Sequence, residues 1–136
     1  RHIISSWNPP ELKNMSLPPC HVFSQFFISK NKLSCQLYQR SCDMFLGVPF
    51  NIASYSLLTH MLAKECSLEV GTFIHSLGDF HIYEEHFEQV KIQLERLPKK
   101  LPILDFETKN FYDYNINDFK LLDYKHDPKI EASMNV

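Results

Sequence analysis

In Leu33-Ser34-Cys35-Gln36-Leu37-Tyr38-Gln39, the two leucines and the cysteine alternate with serine and glutamine. Alternation with a period of two is typical of a β-strand that buries one face. A polar turn at residues 29–32 joins this stretch to another extended run, Cys20 to Ile28. We therefore predict a β-hairpin, with the buried face of its second strand carrying the leucines and the cysteine.

Helical and extended segments are mixed along the rest of the chain, which favours an α+β fold. Asn51 to Lys64 is apolar on almost every side, so we predict a long helix that is buried rather than exposed. The architecture expected is a mixed β-sheet with this buried helix and flanking helices. The remaining predicted elements are strands at Ile3–Trp7, Phe73–Phe80, Ile103–Phe106 and Phe119–Tyr124, and a surface helix at Glu84–Leu97.

The length and composition indicate a single domain with a hydrophobic core. The chain has 136 residues, of which 44% are hydrophobic, and its formal net charge is −2. This charge does not indicate general binding to nucleic acid, messenger RNA included. Residues 1–60 nevertheless hold 5 basic and 2 acidic side chains, against 9 and 14 in residues 61–136. A bound anion is therefore expected in the first part.

Several classes of site are excluded or disfavoured. The three glycines stand at positions that allow neither GxGxxG nor a P-loop. No two of the four cysteines have CxxC spacing, so we expect free thiols, no metal and a reducing, cytoplasmic setting.

Met44 to Ala63 is uncharged, but its proline, asparagine and histidine favour a buried helix over a membrane span. No signal peptide is visible, and a start inside a predicted strand suggests the later part of a longer polypeptide.

Cys20 is a candidate nucleophile because it follows the rigid diproline Pro18-Pro19 and lies at the start of a predicted strand. The attacking species would be the thiolate, which needs positive charge nearby. The alternative is a buried structural cysteine. His21 is a poor candidate base, since neighbouring strand residues face opposite sides.

Three further groups have both a functional and a structural interpretation. Arg40 and Ser41 suit a phosphate, unless Arg40 only forms a surface ion pair with Asp43. The amide of Asn51 can read a base edge, unless it is a helix N-cap. Residues 81 and 83, a histidine and a tyrosine, would share one strand face and line a sugar site, unless they are satisfied polar groups at a sheet edge.

The order of four motifs resembles the thymidylate synthase family along the whole chain. They are Trp7-Asn8-Pro9, Leu17-Pro18-Pro19-Cys20-His21, Gln39-Arg40-Ser41-Cys42-Asp43 continuing to Gly47-Val48-Pro49-Phe50-Asn51, and Gly78-Asp79-Phe80-His81-Ile82-Tyr83. The resemblance implies that residues 1–136 are the C-terminal part of a single catalytic domain, with sheets that pack across a homodimer interface.

The resemblance also implies an activity. Cys20 would add to C6 of the uracil ring of dUMP, and 5,10-methylenetetrahydrofolate would be the co-substrate that supplies the methyl group of dTMP. Asn51 would read uracil O4 and N3–H. Since relatives that act on dCMP place an acid at this position, Asn51 favours dUMP.

The other implied roles concern binding. The residues implied for dUMP, besides Cys20 and Asn51, are Arg1 acting on the partner subunit, Arg40, Ser41, Cys42, Asp43, His81 and Tyr83. Those implied for the folate are Asp43, Gly47, Phe50, Asn135 and Val136.

The chain departs from the family pattern in places. The family's catalytic glutamate, a tyrosine, two tryptophans and one arginine lie upstream of Arg1, so this chain alone is expected to be inactive. Asn135 replaces the usual alanine, and Glu85 stands where asparagine is common. Two alternatives remain: a hydroxymethylase of the same fold acting on dUMP or dCMP, and a non-catalytic fragment that binds nucleotide or dimerises.

Overall fold

The computed structural model describes residues 1–134, which form two compact units, residues 1–82 and residues 83 onward. Asn135 and Val136, which the resemblance assigns to the folate site, lie outside the described residues.

The first unit is built on a four-stranded sheet in which the strands follow chain order. The first two pairings are antiparallel and the last is parallel, so the predicted mixed sheet is confirmed. Lys30 and Asn31 have φ angles of 49° and 60°, as expected for a two-residue turn that matches the twist of a hairpin. The strands are β1 (His2–Ser5), β2 (His21–Ser29), β3 (Lys32–Asp43) and β4 (Glu69–His81).

Helix α1 (Gly47–Glu65) connects the parallel strands β3 and β4 and packs on one face of the sheet. The alternation predicted for β3 is confirmed, because its leucines and Cys35 are buried on this face. The core consists of Phe26, Leu33, Cys35 and Ala63, surrounded by Tyr55, Leu58, Leu62, Leu68 and Phe73.

The prediction that helix α1 is buried on almost every side is wrong. Val48, Thr59 and Ala63 are buried, whereas Phe50 and Ile52 are exposed. One sheet covers only one stripe of a helix, and the other apolar sides of α1 face outward. No helix within residues 1–134 has both the length and the apolar character needed to cross a bilayer.

The second unit contains helix α2 (Phe87–Leu94), preceded by a 3₁₀ turn at Glu84–His86, and the antiparallel strands β5 (Ile103–Asp105) and β6 (Lys120–Leu122). The helix is shorter than predicted and ends before Leu97, whose side chain is exposed. Glu95 forms a turn and Arg96 a bend, and Leu97 and Pro98 have no regular structure, which agrees with the disfavoured α conformation of the residue before a proline. The rings of Phe106, Tyr114 and Phe119 pack together with centroids 5.3–5.8 Å apart.

Candidate functional site

The carboxyl ends of the parallel strands β3 and β4 bring two sequence-distant motifs together. Ser41 pairs with Asp79, and Asp43 pairs with His81. The amide of Met44 donates to the carbonyl oxygen of His81 at 2.9 Å. Ligands commonly bind at this edge of parallel strands, because polar loop residues from neighbouring strands converge there.

Gly78 keeps the two strands close beside Arg40. A Cβ at this position would lie 2.8 Å from the carbonyl oxygen of Arg40 and 3.1 Å from that of Gln39. Both are backbone atoms that cannot move aside, so a side chain at residue 78 would push β4 away from β3. The glycine of the Gly78-Asp79 motif is therefore needed for close strand packing.

Arg40 holds the loop that carries Cys20. Its backbone amide donates to the carbonyl oxygen of Cys20 at 2.8 Å. Its Nη2 and Nε donate to the carbonyl oxygens of Pro18 and Pro19 at 2.8 and 3.1 Å, and its guanidinium lies 5.6 Å from the centre of the Trp7 ring. Cys20 is a partly buried residue and does not belong to the core cluster.

The alternative interpretation of Arg40, a surface ion pair with Asp43, is wrong. Asp43 Oδ1 accepts hydrogen bonds from the amides of Phe45 and Leu46, at 3.1 and 3.2 Å, just before α1 begins. Among residues 1–134, the Nη1 group of Arg40 makes no hydrogen bond. Arg40 can therefore donate to an anion while it holds the loop.

Asn51 lies one turn inside α1, so the alternative that it is an N-cap is wrong as well. Its Oδ1 accepts a hydrogen bond from Gln39 Nε2 at 3.1 Å. Gln39 Nε2 also donates to the carbonyl oxygen of Ser41 at 2.9 Å, and Gln39 Oε1 lies 2.9 Å from His75 Nε2. Burial lowers the pKa of His75.

Gln39 and His75 are functional candidates that sequence reasoning missed. Gln39 is 2% exposed and lies on the same buried face of β3 as Leu33, Cys35 and Leu37, at the same two-residue spacing. A polar residue in phase with a buried strand face must find hydrogen-bond partners, and this was the available signal.

The prediction that His81 and Tyr83 share a strand face is wrong. Strand β4 ends at His81, and Tyr83 lies beyond it, before the 3₁₀ turn of the second unit. His81 Nδ1 is 3.9 Å from Asp79 Oδ1. The ring of Tyr83 contacts that of His86 edge-on, with centroids 5.8 Å apart.

The other predicted site residues differ in what they offer a ligand. The thiol of Cys42 is fully buried and donates to the carbonyl oxygen of Gln39 at 3.4 Å, and burial raises its pKa. The contact expected of Cys42 would therefore have to come from its backbone. Ser41 is partly buried, Gly47 is the first residue of α1, Phe50 is 74% exposed, and Arg1 is exposed.

His21 turns toward the helix. Its Nδ1 lies 2.9 Å from the hydroxyl oxygen of Tyr55. All four cysteines are free thiols. Within residues 1–134, no group of three or more histidine, cysteine, aspartate or glutamate side chains could hold a metal ion.

Comparison with known proteins gives the family. The profile of the family described as thymidylate synthase matches residues 1–136. The chain is 59% identical to the thymidylate synthase of Vesicomyosocius okutanii subsp. Calyptogena okutanii (strain HA) and 55% identical to that of Listeria monocytogenes serotype 4a (strain HCC23). It is 57% identical to the bifunctional dihydrofolate reductase-thymidylate synthase of Paramecium tetraurelia.

Each comparison covers 100% of the chain, but the chain spans only 52%, 44% and 30% of the length of these relatives, respectively. The predicted resemblance is confirmed, and the chain belongs to the thymidylate synthase family.

Proposed function

We propose that the full-length protein is a thymidylate synthase, which converts dUMP to dTMP with 5,10-methylenetetrahydrofolate. Residues 1–136 would be the C-terminal part of its catalytic domain. The main support is the partly exposed residue Cys20, whose loop is held by the guanidinium of Arg40.

Cys20 would form the covalent bond to the substrate. The thiolate is the attacking species. The thiolate adds to C6 of the uracil ring, and the displaced electron pair moves through C5 and C4 onto O4. A hydrogen-bond donor at O4 stabilises this developing charge. Asn51 can supply it, since its Nδ2 makes no hydrogen bond within residues 1–134.

The phosphate of dUMP would lie near Arg40 and Ser41. Arg40 keeps an unused Nη1 group, and Ser41 follows it directly in β3. Charged hydrogen bonds from arginine to phosphate are among the stronger polar contacts in proteins. Arg1 of the partner subunit would add a second guanidinium. His81, at the end of β4, is proposed for the ribose hydroxyl, and the role of Tyr83 stays a prediction from the resemblance.

The folate would bind near the start of α1. When bound, it supplies the one-carbon unit and then the hydride. Asp43 fits a donor-rich pterin ring, because its Oδ1 is used by backbone amides while its Oδ2 makes no hydrogen bond or ion pair among the described residues. Gly47 adds no side chain here, and the exposed ring of Phe50 offers an apolar surface. The roles proposed for Asn135 and Val136 concern the closing of the tail over the folate.

A second copy of the chain would cover the sheet face opposite α1. The large side chains of Ile3, Phe27, Tyr38 and Ile74 on this face are 45–64% exposed. Strand register puts them on the side away from the buried Cys35 and Leu37. Tyr38 alternates with these two residues along β3, and Phe27 and Ile74 pair with Ser34 and Gln36. Ile3 pairs with Gln25, which is itself the partner of Gln36. An apolar face of this kind is typical of obligate homodimers.

The dimer is tested by sedimentation of the full-length protein. Ile74→Lys places a charge on this sheet face and should therefore give monomers. Ile92→Lys, on α2, is the control and should not. A dimeric Ile74→Lys variant would contradict the proposal.

The covalent step is tested with 5-fluoro-dUMP and the folate. The full-length protein should form an adduct visible by mass spectrometry, and Cys20→Ser should form none. Cys66→Ser, which changes an exposed cysteine at the far end of α1, is the matched control and should react like the parent protein. An adduct that survives in Cys20→Ser removes Cys20 from its role. A hydroxymethylated product in place of dTMP identifies the enzyme as a hydroxymethylase.

A further inference from the structure

Gln39 lies at the centre of a chain of hydrogen bonds that ends at Asn51. Its Nε2 contacts Ser41 O at 2.9 Å and Asn51 Oδ1 at 3.1 Å, and its Oε1 contacts His75 Nε2 at 2.9 Å. The Gln39 side chain is 2% exposed, so water cannot replace a missing partner, and an unsatisfied amide there is costly.

The carbonyl oxygen of Ser41 determines how the Gln39 amide is turned. A backbone carbonyl can only accept a hydrogen bond, so the group that faces it must be the NH₂ of Gln39. A flipped amide would bring two oxygens to 2.9 Å from each other. With Nε2 at Ser41, Oε1 must face His75, and His75 must carry its hydrogen on Nε2.

The same anchor determines how Asn51 is turned. Gln39 Nε2 has two hydrogens, and the one not used by Ser41 points to Asn51. Asn51 must therefore offer its oxygen to Gln39, which leaves its Nδ2 as the group available on the other side. An NH₂ group on that side suits a carbonyl oxygen and repels an exocyclic amino group.

We propose that Gln39, oriented by the carbonyl of Ser41 and by His75, is the positioning residue that makes Asn51 select a pyrimidine with a carbonyl at C4 over one with an amino group. Gln39 does this through Asn51, without contacting the base. The inference rests on the function proposed above, because it assumes that Asn51 reads the base. The lowered pKa of His75, which keeps its ring neutral, agrees with a fixed hydrogen on Nε2.

The test is Gln39→Glu in the full-length protein. A carboxylate only accepts, so Asn51 would rotate its NH₂ toward residue 39 and turn its oxygen outward. We expect the ratio of dissociation constants, dCMP over dUMP, to fall at least tenfold, as measured by calorimetric titration without folate. Damage that is merely structural would weaken the binding of both nucleotides alike and leave this ratio unchanged.

Two further variants keep the test decisive. Gln39→Met has a similar shape without hydrogen bonds, so it should free Asn51 to rotate and give an intermediate ratio. It replaces Gln39→Glu as the deciding variant if the carboxylate prevents folding. Gln93→Glu makes the same charge change on exposed α2 and should keep the parent ratio.

The outcomes separate the inference from the proposed function. If the parent protein prefers dUMP and the folded Gln39 variants keep that preference unchanged, the positioning role of Gln39 is overturned and the proposed function stands. If the parent protein binds neither nucleotide, the proposed function fails, and the inference fails with it.

Discussion

Arg40 Nη2 donates a hydrogen bond to the carbonyl oxygen of Pro18 across 2.8 Å. This contact ties a strand in the middle of the sheet to the loop that carries the candidate nucleophile two residues later. The Nε group of the same side chain reaches the carbonyl of Pro19. A single guanidinium therefore sets the position of Cys20 and still has a group left to donate to an anion.

Arg40→Lys should slow adduct formation with 5-fluoro-dUMP by about a hundredfold. Lysine keeps the charge but cannot form a planar fork, and a hydrogen bond from a charged group contributes about 1.5–3 kcal/mol. Stopped reactions followed by mass spectrometry measure the rate. The matched control is Arg96→Lys, since Arg96 Nη2 also donates to a carbonyl oxygen, that of Pro128, at 2.7 Å. Equal rates for the two variants would show that the fork does not hold the loop.

The four cysteines should react with iodoacetamide in a defined order. Cys66 is exposed and Cys20 partly buried, whereas Cys35 and Cys42 are buried and burial raises the pKa of both thiols. Peptide mass spectrometry of the full-length protein should therefore find Cys35 and Cys42 unmodified until denaturant is added. Modification of Cys35 at the same rate as Cys66 in native protein would contradict the burial of Cys35.

Stability should decrease as the pH falls below about 6.5. Burial lowers the pKa of His75 and of His60 from their ordinary value of 6.5. Below that pH the unfolded chain binds protons that the folded chain does not, so the free energy of unfolding declines until the lowered folded pKa is passed. The slope for one histidine is at most about 1.4 kcal/mol per pH unit.

Denaturant unfolding of the full-length protein between pH 8 and pH 5 measures this loss. His75→Gln keeps an N–H group for Gln39 but does not titrate, so its stability should depend less on pH. Gln93→Asn changes an exposed side chain that does not titrate and should leave the pH dependence as it was. A parent curve that is flat below pH 6.5 would contradict the prediction.

Leu37→Ala should lower the free energy of unfolding by about 2–5 kcal/mol. Leu37 has no exposed surface, and removing a large buried side chain forfeits its transfer free energy and leaves a cavity. Urea denaturation measures the change. Leu94→Ala is the matched control, because Leu94 is 79% exposed and should change stability by less than about 0.5 kcal/mol. A loss below 1 kcal/mol for Leu37→Ala would mean that the sheet face under α1 is not a packed core.

The candidate site could be proposed from the sequence because its signals are local. The Pro18-Pro19-Cys20 motif and the run from Gln39 to Asn51 carry both the chemistry and the family resemblance. The wrong inferences were those that depended on the exact residue at which a helix or strand begins or ends, or on a hydrogen-bond partner distant in sequence. Helix α1 begins at Gly47, which moves Asn51 from the cap into the helix, and β4 ends at His81, which separates Tyr83 from the strand.

The amino-acid sequence alone determined the hairpin, the buried phase of β3, the mixed α+β class and the family, because alternation, turn residues and motifs are properties of neighbouring residues. The tertiary structure alone decided that Arg40 bonds the diproline carbonyls rather than Asp43, and that Gln39 joins His75 to Asn51. These contacts link residues 12 to 36 positions apart. Such pairs become neighbours only when the strands and the helix pack together, since hydrogen-bond partners are chosen by distance in space.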